Sequence, residues 1–202
     1  AQTPAYVRSA SIEEFGRLQQ QAMGLIKLVD VAPEQPGNLE FIRQMSHDVR
    51  VSVAHTCTSY DDACAAFDAG ARHMTHLFNA MPALHHREPG PIAAGAERND
   101  VTAEIIADGV HIHPAMVRLA FALFGDDRMI LISDSLRACG LGDGEYELGG
   151  QQFFVKGNRA TIANGSLAGS VSDVMACMRT AVRTMGIPLT SAVKAATVNP
   201  AR

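Results

Sequence analysis

The residues with the type and the placement to act on a small molecule are His55, His76, either Asp108 or His111, and Asp134. His55 follows the apolar run 49–54, His76 follows 71–75, His111 lies just past 101–106, and Asp134 follows 129–133. Side chains at the carboxyl ends of strands are where α/β folds hold their ligands. His55 and His76, ending successive runs, are natural partners for one divalent cation through imidazole nitrogen. Taken singly, either is as well explained as a polar strand-end residue bonding backbone. With Asp134 on a later strand, metal binding is the stronger reading. Asp134 could accept a proton from water acidified by a cation, or merely cap the segment that follows.

The loop after His76 is dense in mixed chemistry, which a connector does not need. Asn79 and the backbone N–H of Ala80 offer neutral donors to an anion, and Arg87 offers a guanidinium that pairs with oxyanions such as phosphate. The competing reading of Arg87 is a solvated loop arginine. His73 stands three residues before His76, so strand alternation sends the two to opposite faces, and the adjacent His85 and His86 are expected to diverge. His111 and His113 share parity and could chelate, but one substrate-contacting histidine, His111, fits their place before Pro114 better than a second metal site.

The elements that must position these groups alternate. A helix signal lies within 3–23, with Ser11 as N-cap and Ile12, Phe15, Leu18 and Met23 at roughly helical spacing. A strand at 25–31, a helix at 38–46 and the strand at 49–54 follow. The helix 60–69 is capped by Ser59, stopped by Gly70, and carries Ala65, Ala66 and Phe67 as its buried face. A strand over 71–75 and one over 101–106 enclose the loop. Pro114 opens a helix to Phe124, 129–133 is a strand, and after a glycine-rich stretch 140–150 the runs 153–155 and 160–162 make a hairpin. Helices at 171–185 and 190–196 close the series. Strand, polar residue, loop and helix repeated at least five times predict a parallel sheet with helices outside. This is a (β/α) barrel or a doubly wound sheet, without a G-x-G-x-x-G turn to favour nucleotide binding.

With 202 residues and 47% hydrophobic content the chain can bury one core, and a single domain over 1–202 is expected. A net charge of -4 with scattered basic residues argues against a nucleic-acid surface. No apolar run approaches a membrane span, and cytoplasmic residence is the simplest expectation. Cys57, Cys64, Cys139 and Cys177 form no C-x-x-C pair and read as buried thiols in a reducing compartment. A first residue Ala1 and a last segment 199–202 without a closing element suggest an internal piece of a longer protein.

Several segments carry a specific likeness: Lys27-Leu28-Val29 with Ala32-Pro33-Glu34, Ala54-His55-Thr56, Thr75-His76-Leu77-Phe78-Asn79-Ala80-Met81, residues 85–90, residues 106–111, Ser133-Asp134-Ser135 with Arg137-Ala138, residues 164–170 and residues 196–202. Together they resemble the N-acetylglucosamine-6-phosphate deacetylase family of the amidohydrolase superfamily, over essentially the whole chain. The resemblance implies a metal-dependent (β/α)8 TIM barrel, here incomplete, lacking its first strands and an accessory β-sandwich. It implies hydrolysis of the N-acetyl group of N-acetylglucosamine 6-phosphate to glucosamine 6-phosphate and acetate. By the same likeness His55 and His76 hold a divalent metal, most often zinc, and Asp134 is general base and then acid. Asn79, Ala80 and Arg87 grip the phosphate, Arg87 from the second subunit of a homodimer. His111 contacts substrate and Leu167 lines the acetyl pocket. The family's third ligand, a glutamate, would lie before residue 1, and Gln2 stands where a histidine is expected. The alternatives are another amidohydrolase acting on a different amide, and a truncated chain with only a structural role.

Overall fold

Strands β1 (Leu28–Val31), β2 (Arg50–Val53) and β3 (His73–Met74) pair in parallel. Their register sets Asp30 beside Ser52, Ser52 beside His73, and His73 beside Thr102 at the start of β4 (Thr102–Ile106). Register partners in parallel strands share a face and neighbours along a strand alternate. One face therefore carries this polar row, while the other carries Val31, Val53, Met74 and Ala103, all buried. The hydroxyls on the polar face find partners there. Thr75 Oγ1 donates to Asp30 Oδ1 at 2.7 Å and shares a 2.7 Å bond with Ser52 Oγ, and His73 Nδ1 meets Thr102 Oγ1 at 2.6 Å. Buried hydroxyls are held in this way rather than left to cost their desolvation.

The computed structural model describes residues 6–202, so Gln2 and the start of the expected first helix lie outside the described residues. The chain falls into two compact units, the first ending at Ala103 and the second running Glu104–Arg202.

In the first unit α1 (Ile12–Gln21) starts where Ser11 Oγ accepts the Glu14 N–H at 3.1 Å. Of its expected apolar face only Phe15 is buried; Ile12, Leu18 and Met23 are exposed. α2 (Asn38–Met45) precedes β2. α3 (Tyr60–Ala69) is capped as expected, Ser59 Oγ accepting from Asp62 N–H at 3.1 Å. Its buried face is Ala63, Ala66 and Phe67. Ala65 points outward, because residues one position before the Ala66–Phe67 stripe turn away and those three and four before it turn in. Gly70 ends α3 with φ 125, and a Cβ there would meet Ser46 Oγ at 2.2 Å, so both conformation and close approach demand glycine. The segment expected to be loop up to residue 100 contains a further helix, α4 (Gly90–Ala96), largely buried and packed on α3. Its two glycines, its proline and its single large apolar residue give no amphipathic period to read.

In the second unit α5 (Pro114–Phe124) begins at the expected proline, with His113 as N-cap. β5 (Met129–Ile132) is held by Asn199, whose Nδ2 donates to the carbonyls of Asp126 and Met129, both at 2.7 Å. The expected hairpin is a three-stranded antiparallel sheet, β6 (Gly144–Leu148), β7 (Gln151–Lys156) and β8 (Arg159–Ile162). β6 was hidden by its flanking glycines; it adds Tyr146, whose ring stacks on Phe153 at 5.6 Å. Phe153, Val155 and Ala160 bury against Leu136 and Ala138. Helices α6 (Val174–Arg183) and α7 (Leu189–Ala196) follow.

The parallel strands are ordered β1-β2-β3-β4-β5. A strand order that never reverses is that of a (β/α) barrel and not of a doubly wound sheet. The architecture is α/β with a parallel sheet, and these strands make up part of a barrel. No helix among the described residues is long and apolar enough to cross a membrane.

Candidate active site

The backbone marks the same strand ends that the side-chain chemistry does. Positive φ outside glycine occurs at His55 (45°), His76 (36°), Phe78 (74°), Ala80 (49°) and Asp134 (47°), besides Met23. L-residues avoid this region, and such conformations gather where side chains must be aimed. His55, His76 and Asp134 each stand two residues past the end of their strand.

In the first unit these strand ends bring two imidazoles together, nitrogen to nitrogen and nearly perpendicular. His55 Nε2 and His76 Nε2 are 2.9 Å apart, with ring centroids 4.6 Å apart at 78°. His76 is buried and His55 exposed, so the pair opens outward. Buried His76 Nδ1 has no hydrogen-bond partner among the described residues. The contact is a hydrogen bond in which the tautomers decide which Nε2 donates; with both nitrogens deprotonated they suit a shared cation, since two imidazoles of one tetrahedral zinc keep about 3.3 Å between nitrogens. The donor set fits such an ion as two of its ligands. No group of three or more His, Cys, Asp or Glu suited to an ion occurs among the described residues.

The turn at His55 has a clamp that the sequence did not reveal. Glu34, beyond β1, accepts the Cys57 N–H at 2.7 Å and the Thr56 hydroxyl, and Thr56 Oγ1 accepts the Thr58 N–H at 3.0 Å. Thr56 is 1% exposed. The Ala-Pro-Glu spelling was visible, but nothing local says which strand end its carboxylate serves.

After His76, Asn79 uses its amide on the loop itself, Nδ2 donating to the carbonyls of His76 at 3.1 Å and Leu77 at 3.3 Å. Ala80 is exposed. His85 and His86 do not diverge as expected: their ring centroids are 4.3 Å apart, because this stretch is irregular and strand alternation does not govern it. Exposed Arg87 lies 2.8 Å from His86 Nε2 through its guanidinium, and its N–H donates to His85 Nδ1 at 3.3 Å. The loop lines a cleft with Cys57, Thr58 and Tyr60. His73 stays apart from His76, on the sheet.

In the second unit Asp108, at the end of β4, organises His111. Its Oδ1 accepts the N–H groups of Val110 (2.8 Å) and His111 (2.9 Å), and its Oδ2 accepts His111 Nδ1–H at 2.7 Å. Burial works against the charged form of both, yet the mutual hydrogen bond and charge win. The Asp108 carboxyl is held below the usual carboxylate range and the His111 imidazole above its ordinary value. His111 Nε2 points to the carbonyl of Ala168 at 3.3 Å, and the negative charge of Asp134 also favours the imidazolium. His113 does not join a metal site; its Nδ1 accepts the Ala115 N–H at 3.2 Å and caps α5. Asp134 is exposed, and Leu167, which bridges to Thr161 on β8, is half-buried.

The cysteines correct an expectation. All four are free, but only Cys177 is buried, its thiol pushed up to about 12 by burial and by nearby Asp108; Cys57 is exposed, and Cys64 and Cys139 are intermediate. Cys57 lies in the turn after His55 between the buried Thr56 and Thr58 and is exposed.

Comparison with known proteins gives the context. Residues 4–202 match the amidohydrolase family. The chain is 45% identical over 172 residues to N-acetylglucosamine-6-phosphate deacetylase of Bacillus subtilis, covering 85% of this chain and 43% of the relative. It is 37% identical over 203 residues to N-acetylgalactosamine-6-phosphate deacetylase of Escherichia coli O157:H7, covering 100% of this chain and 54% of that one. Among solved structures, a mutant N-acetyl-D-glucosamine-6-phosphate deacetylase of Mycobacterium smegmatis in complex with N-acetyl-D-glucosamine-6-phosphate superposes with a TM-score of 0.95 at 40% identity, covering 99% of this chain and 54% of that one. The chain thus spans about half the length of these relatives.

Proposed function

The chain belongs to the amidohydrolase family, and we propose that its parent protein is a metal-dependent deacetylase that hydrolyses the N-acetyl group of N-acetylglucosamine 6-phosphate to glucosamine 6-phosphate and acetate. The observation that carries this reading is the pair of imidazoles meeting at 2.9 Å from two adjacent strand ends, in a chain whose relatives bear the names of amino-sugar-phosphate deacetylases.

His55 and His76 would hold a divalent cation, zinc for preference, through their Nε2 atoms. The chemistry supplied there by a bound cation is Lewis acidity, which polarises an amide carbonyl and acidifies water. Asp134 takes the proton from the water whose oxygen attacks the carbonyl carbon. It returns that proton to the sugar nitrogen as the C–N bond breaks, so acetate and the amine leave with every proton accounted for. His111 is suited to donate. Asp108 holds its Nδ1–H and favours the charged ring, and the Nε2–H rests on a 3.3 Å contact with the Ala168 carbonyl that a substrate oxygen can replace. Asn79, the Ala80 N–H and Arg87 bind the 6-phosphate, Arg87 acting on the substrate of the other subunit in a homodimer, and Leu167 packs against the acetyl methyl.

A second reading differs only at the sugar. One relative that aligns with the whole chain at 37% identity is named for the galactosamine epimer, so N-acetylgalactosamine 6-phosphate is the competing substrate. The test uses the full-length parent enzyme, with acetate release measured from both sugar phosphates and from unphosphorylated N-acetylglucosamine. Release is expected from a 6-phosphate, is abolished by chelation and is restored by zinc. Arg87→Ala should depress only the phosphorylated reaction. No acetate from any of the three with metal loaded would sink the reading.

A further inference from the structure

A short strap in the second unit touches both Asp134, proposed to move protons, and His111, proposed to contact the substrate. The strap is Ala168-Gly169-Ser170, which returns from β8. It is anchored to the small sheet where the Ala168 N–H donates to the Ala160 carbonyl at 3.0 Å. On its other side the Ala168 carbonyl faces His111 Nε2 at 3.3 Å.

Two residues on, Ser170 grips the turn that carries Asp134. Its N–H donates to the Asp134 carbonyl at 2.8 Å, and its carbonyl accepts the Leu136 N–H at 2.8 Å, giving a parallel bridge with Ser135. Its hydroxyl donates to the Ser133 carbonyl and accepts the Ser172 N–H at 3.2 Å. Ser170 is 1% exposed, so these bonds are shielded from water and hard to replace. Between the two lies Gly169. A Cβ there would stand 2.5 Å from the Asp134 carbonyl oxygen and 3.2 Å from the Leu136 side chain. The obstacle is backbone, which cannot rotate aside, so the strap approaches this closely only with glycine. Asp134 itself holds a φ of 47°, a conformation that persists where surrounding bonds over-determine it.

We propose that Gly169 and Ser170 are positioning residues for Asp134, and that the strap holds Asp134 and His111 in a fixed relation by bonding to the backbone of one and the imidazole of the other. This rests on the reading of Asp134 as the general base. The hydroxyl of Ser170 fixes the residue before Asp134, its N–H fixes Asp134, and the missing side chain of Gly169 lets both bonds form. A small displacement of a proton-transferring group is costly in rate while leaving distant binding contacts intact.

The experiment compares Gly169→Ala, Ser170→Ala, Ser170→Thr and Asp134→Asn in the full-length enzyme, measuring kcat, KM, the pH profile of kcat/KM and bound metal. Gly169→Ala and Ser170→Ala should lower kcat roughly 10- to 100-fold, with KM and bound metal nearly unchanged. The acidic limb of the profile should move, a change that a smaller folded fraction cannot produce. Ser170→Thr, which keeps the hydroxyl, should restore most of the rate. If Asp134→Asn abolishes turnover while Ser170→Ala keeps wild-type kcat and profile, the strap proposal alone is overturned. If Asp134→Asn turns over normally, the role of Asp134 and the strap proposal fall together. Should Gly169→Ala fail to fold, Ser170→Ala and its threonine partner decide the matter.

Discussion

The histidine pair of the first unit and the aspartate–histidine pair of the second solve the same problem, a polar group at a strand end, in opposite ways. Asp108 and His111 complete each other: carboxylate, imidazolium and two backbone N–H groups leave little for an outside partner to supply. His55 and His76 instead turn two nitrogens of the same kind toward one point, with no acid between them and with His76 Nδ1 buried and unbonded. A carboxylate and an imidazole that complement each other make a fixed unit, whereas two imidazole nitrogens can exchange their mutual hydrogen bond for a shared cation. The contrast sets a complementary acid–base pair against a like pair with the chemistry of metal ligands.

The sharpest way to break the contrast is Asp108→Asn. Losing one partner of a buried ion pair should cost roughly 3–5 kcal/mol of stability, read as a shift in the urea midpoint of the full-length protein. The folded pKa of Asp108 is depressed, so its contribution is present above the ordinary carboxylate value of 3.8 and fades as pH falls through the lower folded value. The folded pKa of His111 is raised, so its contribution is complete below the ordinary 6.5 and fades as pH rises through the higher folded value. The stability difference between variant and wild type should therefore peak between 3.8 and 6.5 and shrink on both sides. A flat difference would mean that the pair is not charged.

A smaller effect should sharpen the other side. Glu34→Ala releases Thr56 and Cys57, which lock the turn at His55. Zinc affinity by competition with a chromophoric chelator should drop roughly 10-fold, while Asp108→Asn leaves it unchanged. Equal losses in both variants would erase the distinction drawn between the two pairs. The smallest expected change is at Ser59→Ala, where loss of the α3 N-cap should cost about 1 kcal/mol in chemical denaturation. It should leave zinc affinity as it was, although Ser59 lies only four residues from His55.

Much of this was legible in the chain. Wherever a single element carries its own signal, the residues announce it: Ser11 and Ser59 cap their helices, Pro114 opens one, Gly70 ends one, and the strand-end positions of His55, His76 and Asp134 follow from the apolar runs before them. Local chemistry sets each of these through bonds spanning three or four residues. Weak signals were lost where packing supplies the stability, as in α4, with its glycines, and β6, between glycine-rich turns. On α3 the sequence points to Ala66 and Phe67 but to Ala65 where Ala63 is buried, because alanine offers little hydrophobic contrast between the two sides of the helix.

Sequence alone thus determined the alternating α/β plan, the identity of the candidate ligands and the chemistry they could perform, since periodicity, caps and side-chain type are local properties. Only the tertiary structure decided which atoms meet. It brought the two Nε2 atoms to 2.9 Å and turned His113 away to cap a helix. It placed Glu34 behind Thr56 and Ser170 behind Asp134, across separations of 22 and 36 residues. Such contacts depend on strand order, register and left-handed turns acting together, and no stretch of residues encodes them by itself.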